Sequence, residues 1–365
     1  NMTIKDITNL IEEKAPIALQ ESYDNAGLIV GNASTEIRGV LVCIDVTEEV
    51  IDEAIQANLN LIISHHPLIF RGLKQITGKN EEQRCVIKAI KNDVAIYAAH
   101  TNIDNVLNGV NGKIAEKLGL TNIKILAPKE NSLVKLITYV PVGKADELRK
   151  ALFNAGAGNI GNYDECSFNS EGYGTFKAGL QANPYVGEIS TQHKEPEIRL
   201  EVILPKYLIN KVLQALTLSH PYEEPAYDII PLLNEWKNVG AGIVGELEKP
   251  TNEMEFLLQL KNTFNLNTLK YTSLLNNKIK TVAVCGGSGS EFLKDAIRAN
   301  ADVFISGDFK YHEYFEAKNQ ILIADIGHFE SEQFTKDIFY EIITKKIPKF
   351  AVQISKVKTN PIKYL

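Results

Sequence analysis

Short apolar runs that stop abruptly at a polar residue recur towards both ends of this chain, and they limit the fold more than any other feature. The clearest is Leu61-Ile62-Ile63-Ser64-His65-His66-Pro67. Three aliphatic residues, two of them β-branched, read as the end of a buried strand, which the histidines and proline terminate. Runs of the same kind lie at residues 38–45 and 94–98, and again at 280–285, 302–306 and 320–324. Helical patterns separate them. Thr47 caps a segment with Glu48 and Glu49 in its first turn, where the helix dipole favours them, and with Val50, Ile51, Ala54 and Ile55 on one face. A capping-box-like Thr3…Asp6 pair, with Asp in place of Glu or Gln, opens another helix that ends before Pro16. Strand and helix alternating at this spacing predict an α/β fold with a parallel sheet and right-handed crossovers.

Between the two groups of runs the pattern changes. Residues 134–140 read as a strand and 144–154 as a helix. A glycine-rich, aromatic stretch follows at 156–174, then a strand at 199–204 and a helix ending at Leu218. This order predicts a β-α-β-β-α-β unit, a small ferredoxin-like α+β domain. The division expected is therefore 2–127 and 240–365 as two halves of one α/β domain, with 128–239 inserted. No internal repeat is evident.

Composition narrows the function classes. With 44% hydrophobic and 23% charged residues the chain is an ordinary globular one. Its 39 basic and 45 acidic residues give −6 with no long run of either sign, which argues against a dedicated nucleic-acid binder. No segment approaches the roughly 20 apolar residues of a membrane span, and no signal-peptide core is present. The four cysteines (Cys43, Cys85, Cys166, Cys285) are far apart and form no CxxC, so buried free thiols in a reducing compartment are expected. These features together predict a cytoplasmic protein without membrane partners.

In parallel sheets ligands collect beyond the carboxyl ends of the strands, and His65, His66, His100 and Asp104 all lie just past such ends. His328 and Glu332 follow another strand, four apart at the start of a helix predicted over 329–344, which places them on one face. Three imidazoles (His65, His66, His328) and two carboxylates (Asp104, Glu332) can hold two divalent ions if a carboxylate bridges. Mixed nitrogen and oxygen ligation suits Zn first, with Fe, Mn or Ni as alternatives. A pair of such ions activates water for hydrolysis. His100 reads either as a proton-transfer group beside Asp104 or as a capping or core histidine. Lys310 and His312 also follow a strand and either reach phosphates in the same cavity or form an exposed loop. The loop containing Gly287 and Ser288 either offers N–H groups to an anion or makes a tight strand-to-helix turn; it is neither GxGxxG nor a Walker A loop. His220 suits a structural role, and His193 a solvated loop.

At these residues the chain resembles the GTP cyclohydrolase I type 2 homologues, also called Nif-three-like or YbgI-like proteins. The motifs carrying the resemblance are Glu21-Ser22-Tyr23-Asp24-Asn25-Ala26-Gly27-Leu28, Ser64-His65-His66-Pro67, His100-Thr101-Asn102-Ile103-Asp104, Gly286-Gly287-Ser288-Gly289 and Gly327-His328-Phe329-Glu330-Ser331-Glu332. They span essentially the whole chain. Tyr23 stands where Trp is commoner, Ala26 for Val, and Ile103 for Leu or Trp, none at a ligand position. The resemblance implies a dinuclear metal site at His65, His66, Asp104, His328 and Glu332 in a homohexameric toroid, and a PII- or CutA-like inserted domain. It also implies a nucleotide substrate, with GTP opened by metal-activated water. The alternative is a non-catalytic, metal-binding regulatory hexamer whose insertion senses a small molecule or partner.

Overall fold

The computed structural model describes residues 1–365 and contains two compact units, one built from residues 1–128 and 238–365 and the other from residues 129–237. In the first half of the discontinuous unit the strands are β1 (Gly27–Val30), β2 (Val40–Cys43), β3 (Leu61–Ser64), β4 (Ala95–Ala98) and β5 (Thr121–Lys129). The continuous unit carries β6 (Leu133–Pro141), β7 (Phe168–Lys177), β8 (Gln192–Pro205) and β9 (Tyr227–Pro231). The chain then returns with β10 (Trp236–Asn252), β11 (Lys270–Tyr271), β12 (Lys278–Ser288), β13 (Val303–Gly307), β14 (Leu322–Asp325) and β15 (Val352–Ile354).

The discontinuous unit contains two sheets, ordered β1-β4-β3-β2-β15 and β11-β14-β13-β12-β10-β5. Their centres are parallel: β15, β2, β3 and β4 in one, β12, β13 and β14 in the other. The expectation of a purely parallel sheet needs correcting, because β1 pairs antiparallel with β4, β11 with β14 and β10 with β12. These strands border the parallel centres, where no crossover helix is needed to join them. Every residue of β2, β3, β4, β13 and β14 is buried, as expected for strands covered on both faces.

One core draws on both halves of the chain. Val40, Val42, Leu61 and Ile63 from the first sheet join Val282, Val284, Val303 and Ile305 from the second, with Ile7 and Ile11 of the first helix, Phe256 and Phe339. The opposite faces are covered separately: Leu41 and Ile62 pack with Ile51 and Val86, and Ala283 and Phe304 with Leu293 and Ile323. The first helix, Ile4–Lys14, starts with the capping box: Thr3 Oγ1 accepts from Asp6 N–H, and Asp6 Oδ2 accepts from Thr3 N–H at 2.7 Å. Thr47 caps Glu48–Gln56 through its side chain alone, which accepts from Val50 N–H. The helix expected over 329–344 is broken into His328–Glu332 and Thr335–Lys346. At the break the Gln333 side chain donates to Glu330 O of the first segment at 2.8 Å and to Phe264 O, at the end of helix Glu253–Thr263, at 2.9 Å.

The continuous unit runs β6, helix Ala145–Asn154, β7, β8, helix Ile209–Ser219, β9. Its sheet order is β7-β8-β6-β9, antiparallel throughout, which is the βαββαβ arrangement of a ferredoxin-like fold. Leu136, Val140, Leu200 and Val202 cover one sheet face with Leu148, Leu152, Val212 and Leu216 of the helices. His193, read from sequence as loop, lies in β8 with its ring 5.3 Å from that of Phe176. The aromatic spacing of this hairpin is too irregular to show strand alternation.

Candidate metal centre

Six side chains from three chain segments converge beyond strand ends of the two sheets. His65 and His66 follow β3, His100 and Asp104 follow β4, and His328 and Glu332 follow β14. The sequence places them there because each apolar strand is buried up to its last residue, so the first polar side chains emerge together at one edge. Glu332 is at the centre. Its Oε1 stands 3.2 Å from His65 Nε2, and its Oε2 stands 3.0 Å from His66 Nε2 and 3.1 Å from His328 Nε2. Asp104 Oδ1 lies 3.7 Å from His65 Nε2. Two groups of three could each hold an ion, His65 with Asp104 and Glu332, and His66 with His328 and Glu332. Glu332 belongs to both. A third group joins His65, His66 and His100.

The four imidazoles are oriented alike. His65 Nδ1 faces Ala99 O at 2.9 Å, His66 Nδ1 faces Asp45 Oδ1 at 2.7 Å, His100 Nδ1 faces Asp24 Oδ1 at 2.8 Å, and His328 Nδ1 faces Asp308 Oδ2 at 2.6 Å. A carbonyl or carboxylate can only accept, so the hydrogen is assigned to Nδ1 in each ring and the Nε2 lone pair is turned inward. His66 Nε2 and His328 Nε2 are only 3.3 Å apart. Lone pairs at that distance repel unless a cation or a proton lies between them. His65 Nε2, Asp104 Oδ1 and Glu332 Oε2 are buried and have no hydrogen bond of acceptable geometry. Native proteins rarely leave such atoms unpaired. A donor set of inward nitrogens and orphaned carboxylate oxygens fits divalent transition ions.

Burial and the carboxylates set the electrostatics of the cluster. Burial works against a charge on His66, but the adjacent Asp45 and Glu332 carboxylates outweigh it and push the imidazole up to about 10. The close Glu332 carboxylate, against burial, lifts His328 to about 9. Burial drives Asp104 well above the carboxylate range, reinforced by the Glu332 charge. Glu332 itself is held well below that range because His65, His328 and His66 overcome its burial. Burial lowers His65.

The residues behind the ligands were not picked out from the sequence. Asp45 holds His66 and also accepts from Thr359 Oγ1 at 2.8 Å; Asp308 holds His328 and accepts from Ser288 Oγ at 2.5 Å. Asp24 holds His100 and accepts from both the backbone N–H and the hydroxyl of Thr101. Asp45 and Asp308 also stand just past parallel strands, β2 and β13, so the signal that marked the histidines was available for them too. At the rim, Phe70 lies 6.3 Å from the His100 ring and 6.4 Å from Tyr23, and both Phe70 and Tyr23 are exposed.

The other candidates fall outside the cluster or behind it. The N–H groups of Gly286, Gly287 and Gly289 are engaged by Asn111 Oδ1, Ser331 Oγ and Ser306 Oγ, so the loop is a tight turn rather than an anion cradle. Gly287 has φ +72°, and a Cβ there would stand 2.4 Å from Glu332 Oε1. Its role is to leave room for the shared carboxylate. Ser288 supports Asp308. Lys310 precedes the 3₁₀ turn Tyr311–Ala317, its N–H donating to Glu313, and His312 packs against the Tyr311 and Phe315 rings. Neither is in a ligand group.

This geometry defines a class of protein, an α/β unit that gathers imidazoles and carboxylates beyond the strand ends of two sheets. Residues 2–361 match the family model described as Duf34/NIF3 (NGG1p interacting factor 3), and the chain belongs to that family. It is 40% identical over 364 residues to a GTP cyclohydrolase 1 type 2 homolog of Halalkalibacterium halodurans, covering 98% of each chain. It is 39% identical to the Bacillus subtilis protein of the same name, over 99% of this chain and 98% of that one. The crystal structure of a Bacillus cereus protein related to NIF3 matches with a TM-score of 0.84 at 38% identity, over 100% of this chain and 99% of that one. No helix is long and apolar enough to cross a membrane.

Proposed function

We propose that this chain is a dinuclear metal-binding protein acting as a metal-dependent hydrolase on a nucleotide. The observation that carries the reading is the inward orientation of four imidazoles around Glu332, with buried donor atoms left unpaired. His65, Asp104 and Glu332 would hold one ion, and His66, His328 and Glu332 the other, with zinc the best match and iron, manganese or nickel also suited. Such ions supply an activated water and polarise the bond under attack. Asp45, Asp308 and Ala99 O fix the ring tautomers, and Asp24 keeps His100 Nε2 facing the centre, where it can take or give a proton. Tyr23 and Phe70 offer exposed ring surface beside His100 on which a planar base can stack. The names of the relatives favour GTP-ring opening, and a phosphoester is the other substrate bond this chemistry serves. We place the protein in the cytoplasm, as a homohexamer.

A second reading is a non-catalytic regulatory assembly in which the inserted, PII- or CutA-like unit senses a small molecule. It is favoured by a cavity of about 900 Å³ on that unit. GTP turnover by metal-reconstituted protein, followed by absorbance and product chromatography with Asp104→Ala as the control, separates the two. Turnover lost in the variant supports hydrolysis at the ions. Metal-loaded protein that turns over no nucleotide removes the hydrolase reading.

A further inference from the structure

The cavity of the inserted unit has a composition that selects its ligand. About 900 Å³ lies within the roughly 300–1,000 Å³ of small-molecule sites. Its floor is the face of β7 and β8 opposite the helices, and its wall is the loop joining those strands, which carries Tyr185. Phe176, Tyr185 and Tyr222 form a connected set of rings: Phe176 is 6.1 Å and Tyr185 6.3 Å from Tyr222.

Glu197 is set among them and is 7% exposed. Its Oε1 accepts from Tyr222 O–H at 2.7 Å, while Oε2 receives no hydrogen bond from the chain. The space for this carboxylate is made by Gly174 on the adjacent strand, where a Cβ would stand 2.3 Å from Oε2. A nearly buried carboxylate with one oxygen left to donors from outside is costly unless a ligand meets it.

The surrounding charge is mainly negative. Glu171, Glu223 and Glu224 also line the cavity, and the single basic lining residue, Arg199, is paired with Glu201 at 3.0 Å. Anions, including nucleotides, are repelled. The rings attract cations, as Lys194 shows by placing its ammonium 3.5 Å over the Tyr173 ring. A metal ion is a poor match, because no group of three ligands forms here.

We infer that this cavity is a binding site for a small organic cation, an ammonium or guanidinium on an apolar body, whose N–H groups meet Glu197 Oε2 and whose body lies against Phe176, Tyr185 and Tyr222. The site is independent of the metal centre and supplies the second reading with a ligand class.

The test is calorimetric titration of the full-length, metal-loaded protein with agmatine and spermidine. Tetramethylammonium, which has no N–H, and glutamate are the contrasts. The two N–H cations bind, tetramethylammonium binds more weakly, and glutamate does not bind. Glu197→Gln, close to isosteric, weakens binding about 10- to 100-fold, the range for a hydrogen bond to a charged group. Asp104→Ala leaves it unchanged. Phe176→Ala weakens it by a smaller factor; if that variant does not fold, Glu197→Gln decides. No binding of either N–H cation at millimolar concentration, or equal binding by Glu197→Gln, overturns the inference.

Discussion

The metal centre and the insertion cavity both place a carboxylate over a glycine, Glu332 over Gly287 and Glu197 over Gly174, yet they are built differently. Glu332 is surrounded by rings whose far nitrogens are anchored on Asp45, Asp308 and the Ala99 carbonyl, each following a strand buried along its length. Glu197 has one anchor, Tyr222, on the open face of an antiparallel sheet. The first arrangement fixes lone pairs to within the tolerance a metal requires. The second leaves room for a ligand that brings its own shape. Preorganisation therefore comes from strands covered on both faces, and adaptability from a sheet with one face free.

The sharpest break of this comparison is Glu332→Gln. Because this carboxylate is common to both ligand groups, the variant should lose both ions, whereas Asp104→Ala should retain the ion on the His66 side. Metal content by plasma emission after dialysis distinguishes them. Equal content in the two variants would refute a shared ligand.

Next come the cores. Phe339→Ala in the discontinuous unit should cost about 3–5 kcal/mol, and Leu216→Ala in the insertion about 2–5 kcal/mol, since both side chains are fully buried. Calorimetry should show each variant lowering a different transition, because two units with separate cores need not melt together. A single transition shifted equally by both would contradict that independence.

A smaller change is expected behind the ligands. Asp45→Asn or Asp308→Asn should weaken metal retention about 10- to 100-fold in chelator competition, with little effect on melting of the metal-free protein. Retention unchanged in both would mean the rings need no support. The mildest test uses thiols. Burial pushes the Cys43 and Cys285 thiols far up and Cys85 up to about 12, so at pH 8 all three stay protonated and unreactive. Cys166 of the insertion is partly exposed. Ellman's reagent should therefore titrate one thiol per native chain and all four after denaturation.

Much of the candidate site was legible because one rule, polar residues beyond parallel strands, brings His65, His66, Asp104, His328 and Glu332 to one edge without reference to contacts. The same rule overreached at Lys310 and His312, which follow β13 but turn into a 3₁₀ segment packed on its own aromatic neighbours. Asp45 and Asp308 were missed for a different reason. Each lies about twenty residues from the imidazole it orients, and no local spacing ties an isolated aspartate to a distant ring. Two edge strands were equally hidden: β11, antiparallel to its neighbour, is two residues long and β15, parallel to its neighbour, three, too short for any periodicity to show.

The discontinuity of the larger unit also sets an order of events. His65, His66 and Asp104 are synthesised before the insertion, and His328 and Glu332 after it. A growing chain thus carries three of the five candidate ligands through the whole translation of a unit with a core of its own. Until Glu332 has emerged, neither group of three is complete. An ion bound through Glu332 would therefore require both halves of this unit to have met, and its retention would report their association.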